Sequence, residues 1–129
     1  MTEAEDRVAV IRALHDAWAR GDFALELFHP DVEWSTPHPG AELRGRDDLH
    51  SFLRSFMGAW AEYTNELEEI RELPDGRVLV LFTETARGRR SGVETQLSPA
   101  ALVTIRDGLI VRYEGLVRED ALRSVGLER

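Results

Sequence analysis

The amino-acid sequence predicts an α+β domain in which helices cover one face of an antiparallel sheet. Two apolar stripes at helical spacing occupy the first sixty residues, and strand-like runs separated by turns fill the stretch after residue 77. Helical and strand segments that are segregated along a chain, and not alternating, point to this class and away from a parallel α/β sheet.

The first stripe, over about residues 3–20, sets Val8, Ile11, Leu14, His15 and Trp18 on one side and Glu3, Glu5, Asp6, Arg12, Asp16 and Arg20 on the other. This is the 3.6-residue period of an amphipathic helix. Gly21-Asp22 ends it, glycine being the usual residue just past a last turn. A short helical piece is predicted from Phe23 to Phe28, stopping at His29-Pro30 because proline disfavours helix in the residue before it. Val32-Glu33-Trp34 follows, then a stiff loop, Ser35-Thr36-Pro37-His38-Pro39-Gly40. Asp47 and Asp48 open the next helix, where the macrodipole favours acids. Its stripe, Leu49, Phe52, Leu53, Phe56, Met57 and Trp60, is the strongest periodic signal in the chain.

Three runs read as strands. Arg77 to Arg87 follows the turn Pro74-Asp75-Gly76, and Val93 to Ile105 is interrupted by Ser98-Pro99 at a bulge or edge. Leu109 to Val117 follows Arg106-Asp107-Gly108, an Asp-Gly hairpin signal. A helical turn from Glu119 to Val125 closes at Gly126. Tyr63 to Leu73, full of Glu and Leu, looks helical by local propensity.

The totals bound function. At 129 residues the chain has the size of one domain and buries roughly two-thirds of its unfolded surface without staples. It has no cysteine, which excludes disulfides, thiolate metal sites and a cysteine nucleophile. No histidine pair has a metal-converging spacing, and no cofactor is implied. A net charge of −8 repels phosphate backbones and anionic lipid, so neither nucleic acid nor membrane is an expected partner. The basic cluster Arg87-Gly88-Arg89-Arg90 reads as a solvated hairpin tip. The acidic start lacks the features of a signal peptide, and the expected location is the cytoplasm.

Four segments carry a resemblance. Ala17-Trp18-Ala19-Arg20-Gly21-Asp22, His29-Pro30-Asp31-Val32-Glu33-Trp34, Arg44-Gly45-Arg46-Asp47-Asp48-Leu49 and Arg106-Asp107-Gly108-Leu109-Ile110-Val111-Arg112-Tyr113 resemble, in order, the landmarks of SnoaL-like proteins. These are relatives of ketosteroid isomerase and limonene epoxide hydrolase in the nuclear-transport-factor-2-like superfamily. The resemblance implies that residues 1–129 form one such domain: a conical, curved antiparallel sheet with about three N-terminal helices over its concave face. It also implies an apolar pocket and often a homodimer through the sheet's outer face. On that ground Tyr63 to Leu73 is assigned as a strand. The family's members catalyse unrelated reactions, so the fold does not select one.

The residues that resemblance would make catalytic are not matched. The ketosteroid isomerase tyrosine and two aspartates fall near Leu14, Trp34 and Ala101, all apolar. The epoxide hydrolase Arg-x-Asp falls on Thr85-Ala86-Arg87 and its third member near Gly115, with Arg87 and Glu84 as a conceivable altered version. The acidic base of SnoaL-type cyclases has Glu114 as its neighbour, which period-two alternation turns outward unless a bulge intervenes.

The candidate catalytic residues are therefore His38, Tyr113, Arg87 and Glu114. His38 sits between prolines and suits proton transfer near neutrality, or is an exposed loop histidine. Tyr113 offers a phenol to orient a carbonyl or hydroxyl. The candidate ligand-binding residues are Leu14, His15, Trp18, Trp34, Phe56, Trp60, Leu81, Thr83, Ala101 and Val103, for which plain core is the alternative. The family register places Leu79, Leu81, Thr83, Thr85 and Arg87 inward, leaving Phe82, Leu102 and Ile110 for a dimer face. The functions compatible with these residues are an acid–base isomerase, cyclase, dehydratase or hydrolase on a small apolar ligand, a non-catalytic binding protein, and a dimerising module.

Overall fold

The computed structural model describes residues 3–37 and 42–127. Helix α1 (Glu3–Ala19) is followed by a single 3-10 turn (Leu25–Leu27), strands β1 (Phe28–Ser35) and β2 (Glu42–Arg44), and helix α2 (Arg46–Gly58). Strands β3 (Trp60–Glu72), β4 (Val78–Gly88), β5 (Glu94–Leu97), β6 (Ala100–Arg106) and β7 (Leu109–Leu116) come next, and helix α3 (Arg118–Ser124) follows. The strand order is β2-β1-β7-β6-β4-β3, with β5 continuing beside β4. The sheet is antiparallel except for the parallel β1–β7 pair, and it curls without closing.

Gly21, at φ +82°, ends α1 as predicted: its N–H bonds Trp18 O at 3.0 Å while Asp22 N–H reaches Ala17 O at 2.9 Å. The predicted helix from Phe23 to Phe28 shrinks to the 3-10 turn. Ala24 enters the left-handed region and Phe28 is already extended, so His29-Pro30 lies inside β1. Pro30 is tolerated there because the β1–β7 register shifts between Phe28 and Glu33. Ser98-Pro99 separates β5 from β6, and Asp107-Gly108, both at positive φ, turns β6 into β7.

Tyr63 to Leu73 is strand despite its helical propensity. β3 pairs with β4 from Trp60 opposite Gly88 to Glu72 opposite Val78, and that ladder outweighs a local preference of tenths of a kcal/mol per residue. A register shift between Leu67 and Glu69 lets Leu67 and Ile70, three apart, both pack on the core.

The main core lies between the concave face and helices α1 and α2. Ile11, Leu14, Trp18, Phe28, Trp34, Leu49, Val80, Phe82, Val103 and Ile110 are buried in it. A second, smaller core lies on the opposite face, where Leu79, Ala100 and Leu102 meet Ala121 of α3, with Leu81, Leu116 and Leu122 packed around them.

These two layers correct the expected strand faces. Val78, Val80 and Phe82 point inward, whereas Leu79, Leu81, Thr83 and Arg87 belong to the outer face. The expected dimer surface is likewise altered: Phe82 and Ile110 are core residues, and Leu102 lies under α3. Ile110 turns inward because the β6–β7 register shifts next to Thr104, so Ile110 and Tyr113 share one face at odd spacing. No helix among the described residues is long and apolar enough to cross a membrane.

Candidate functional site

The concave face carries a continuous shell of rings. Trp34 and Tyr113 are register partners on the parallel strands β1 and β7, and they stack at 4.3 Å with an interplanar angle of 8°. Trp18 of α1 meets both edge-on, at 5.9 and 5.7 Å. Phe52 of α2 leads from Trp34 to Phe56, at 6.0 Å each way, and Phe56 touches Trp60 and Tyr63. Trp34 and Tyr113 thus stack directly, and Phe52 bridges from Trp34 to Phe56.

Beside this shell runs a chain of polar side chains from α1, β3 and β4. His15 Nδ1 lies 2.8 Å from Asn65 Oδ1. Asn65 Nδ2 donates to the Tyr63 hydroxyl at 2.9 Å, and that hydroxyl donates to the Glu84 carboxylate. The positions follow from the backbone. Asn65 and Glu84 are cross-strand partners, Tyr63 stands two residues from Asn65 on the same face, and Glu84 two from Phe82. His15 is brought in by α1, its ring edge-on to Trp18 at 5.1 Å and to Phe82 at 4.8 Å.

Burial decides the proton affinities. It raises the Glu84 carboxyl above its ordinary value of 4.5, with the Tyr63 hydrogen bond opposing in part. It raises the Tyr63 hydroxyl too, and the charge of Glu84 and its hydrogen bond add to the effect. Tyr113 is pushed up by burial and then by Glu84 and Tyr63. His15 is pushed down by burial against the opposing Asn65 bond, so it is held neutral at pH 7. Both phenols therefore remain donors across the physiological range, and Glu84 is a base stronger than an exposed carboxylate.

The predicted residues divide sharply. His15, Trp18, Trp34 and Tyr113 lie on the concave side, and Phe56 and Trp60 are half-buried at its rim. Leu14, Ala101 and Val103 are sealed in the core with no exposed surface, which makes them packing residues. Four predicted residues stand on the far face. Leu81 packs in the α3 layer, and Thr83 bonds Glu68 and Ser98. Arg87 is an exposed partner of Glu62 at 3.4 Å. Glu114 lies opposite Leu102 and pairs with Arg112 at 3.9 Å, because the bulge falls before Tyr113 and leaves the alternation after it intact. His38 lies outside the described residues.

Tyr63 and Asn65 are not evident from the sequence, because only the resemblance makes their segment a strand and its helical propensity gives no inward face. Their spacing of two, in phase with Leu67, is the strand signal that would have found them. Glu84 was visible as a carboxyl among apolar residues but was assigned to the wrong face. Among the described residues no group of three His, Asp or Glu side chains converges as a metal site would require. A groove of about 450 Å³ adjoins the shell at Trp34 and is otherwise lined mostly by charged side chains, Glu33, Glu42, Arg44, Asp48 and Arg112, with Ser35 and Leu43.

Comparison with known proteins agrees with this architecture. The family model of the SnoaL-like domain matches residues 11–113. No curated protein sequence matches the chain. TerC, crystallised with polyporic acid, is 24% identical over 93% of this chain and 97% of its own, with a TM-score of 0.75. An NTF2-like protein from Burkholderia pseudomallei is 22% identical over 97% of this chain and 98% of its own, at 0.77. A protein of ketosteroid isomerase-like fold from Catenulispora acidiphila, in complex with trimethylamine, is 16% identical over 92% of both chains, at 0.74. At these identities the likeness shows the fold.

Proposed function

We propose that this chain, which belongs to the SnoaL-like domain family, binds a small, largely apolar organic molecule at the rim of its aromatic shell and moves a proton on it through Glu84. The observation that carries this reading is the half-buried Glu84 carboxyl joined to the Tyr63 hydroxyl beneath Phe56. A carboxyl that costs energy to bury is not needed for the core, and a buried carboxyl paired with a hydrogen-bond donor is a common arrangement for acid–base work. Small organic molecules held by two fold relatives support the choice of ligand.

In the reaction the Glu84 carboxylate takes a proton from an acidic C–H or O–H of the ligand. The Tyr63 hydroxyl keeps the carboxylate oriented, and the ring shell excludes water from the charge that forms. Return of the same proton to another atom gives an isomerisation or cyclisation, and its return to a leaving oxygen gives a dehydration. No electron is exchanged. The half-exposed Phe56 ring is the side chain that must swing to admit the ligand. A second reading, binding without turnover, is favoured by the apolar residues Leu14, Trp34 and Ala101 at the positions where the isomerases carry their acid–base groups.

Deuterium uptake separates the two. The protein is incubated in D₂O with small cyclic ketones, 1-tetralone among them, and exchange at the carbon beside the carbonyl is followed by mass spectrometry. The proposal expects uptake that falls at least about 100-fold in Glu84→Gln, the scale of one lost general base. Equal uptake in the two proteins would remove Glu84 from the chemistry. Binding without uptake would favour the second reading.

A further inference from the structure

Among the described residues His15 Nε2, Trp34 Nε1 and Trp60 Nε1 are buried without a hydrogen-bond partner, as are Thr36 Oγ1 and Arg118 Nε. The two indole groups can only donate. The role of the imidazole nitrogen follows from the bonds around it. The Tyr63 hydroxyl donates its proton to the Glu84 carboxyl, so its oxygen accepts from Asn65 Nδ2. That orientation turns the Asn65 carbonyl toward His15, and a carbonyl only accepts. His15 Nδ1, 2.8 Å away, is therefore the nitrogen that bears the proton.

On a neutral ring the opposite nitrogen, Nε2, then holds a lone pair and no proton. It lies on the far side of the imidazole from Asn65, in a residue only 2% exposed, flanked by the rings of Trp18 and Phe82. Neither ring face offers it a proton. A buried acceptor is almost always met by a donor, and here the described residues supply none.

We propose that His15 Nε2 is a hydroxyl-accepting subsite, and that the ligand of this site is a hydroxylated ring, a phenol or cyclic alcohol, whose O–H donates to it. The inference rests on the Glu84 reading for the place of the ligand and adds its chemical class. The hydroxyl could instead come from a single trapped water, and the experiment distinguishes the two sources.

The first measurement needs no variant or ligand. In ¹⁵N-histidine-labelled protein at pH 7, His15 should show its proton on Nδ1 and a bare Nε2; a proton on Nε2 would overturn the assignment. The second compares 1-tetralone with its 5-, 6- and 7-hydroxy derivatives by calorimetry. At least one hydroxy isomer should bind tenfold or more tightly than the parent and shift the Nε2 resonance. In His15→Phe that preference should fall to within twofold. Asn65→Leu, which releases the ring from its tautomer, should reduce the preference as well. Equal binding of parent and hydroxy forms would mean that water fills the subsite, and would overturn the proposal, as would failure of every probe to bind. Hydroxyl preference without deuterium uptake would uphold this subsite and sink the acid–base reading. Uptake dependent on Glu84 with no hydroxyl preference would do the reverse.

Discussion

Replacing Tyr63 by Phe removes one oxygen and breaks two hydrogen bonds at once. The Glu84 carboxylate loses its donor, and Asn65, 9% exposed, loses the acceptor of its amide N–H. A hydrogen bond to a charged group contributes about 1.5–3 kcal/mol, and an orphaned buried amide costs about 1 kcal/mol or more. Glu84 is half-buried and water can replace part of the lost bond, which sets the expected loss at about 2–3 kcal/mol in total. For 129 residues the unfolding entropy is about 0.27 kcal/mol/K, so Tm should fall by about 7–11 °C. Urea unfolding should show the same loss with an unchanged slope. The loss should also depend on pH. The Tyr63 bond holds the Glu84 proton affinity down against burial, so the variant carboxyl sits further above 4.5. Near pH 4, where the raised carboxyl is protonated, the Asn65 share remains and the charged-bond share is absent, so the deficit is smaller; near pH 8 an ionised carboxyl is left unpaired and the deficit is full. A loss below about 0.5 kcal/mol, the size of an ordinary surface change, or one equal at the two pH values, would refute the coupling of Tyr63 to Glu84.

Glu84→Gln keeps an acceptor for Tyr63 and removes the buried charge. Because the folded carboxyl titrates above its unfolded value, its stabilising share is present below 4.5 and is lost as pH rises through the folded value. The variant should therefore match the parent protein near pH 4 and exceed it in Tm near pH 8 while losing deuterium uptake; thermal scans across that range check it. On the far face, Arg87→Ala and Glu114→Gln should leave uptake and ligand binding within twofold and stability within about 0.5 kcal/mol, since Arg87 sits in an exposed ion pair and Glu114 in a half-exposed one. A tenfold loss in either would move the site to the outer surface.

Much of the fold was legible from local signals. The two helical stripes, the Gly21 stop, the Asp107-Gly108 hairpin and the Ser98-Pro99 break stand where short-range chemistry put them, because capping, turn formation and amphipathic period act over a few residues; the exception is Trp60, read as the end of the second stripe, which opens β3. His15 and Trp18 follow from the helical period in the same way, whereas Trp34 and Tyr113 were expected at the pocket from the family resemblance.

The residues of the candidate site were harder, and the cause is physical. Val78 to Phe82 is apolar at every position, so period two offers no polar face to orient it. Its direction is set by which layer each side chain meets, α1 on one side and α3 on the other. Two register shifts then move Ile70 and Ile110 into the core, and no local pattern announces a shift that depends on the partner strand. Composition and period thus state which segments curl and which extend. The meeting of His15, Tyr63, Asn65 and Glu84, drawn from three elements up to 69 positions apart in the chain, exists only because long-range pairing and burial choose one face and one register from several that the local chemistry permits.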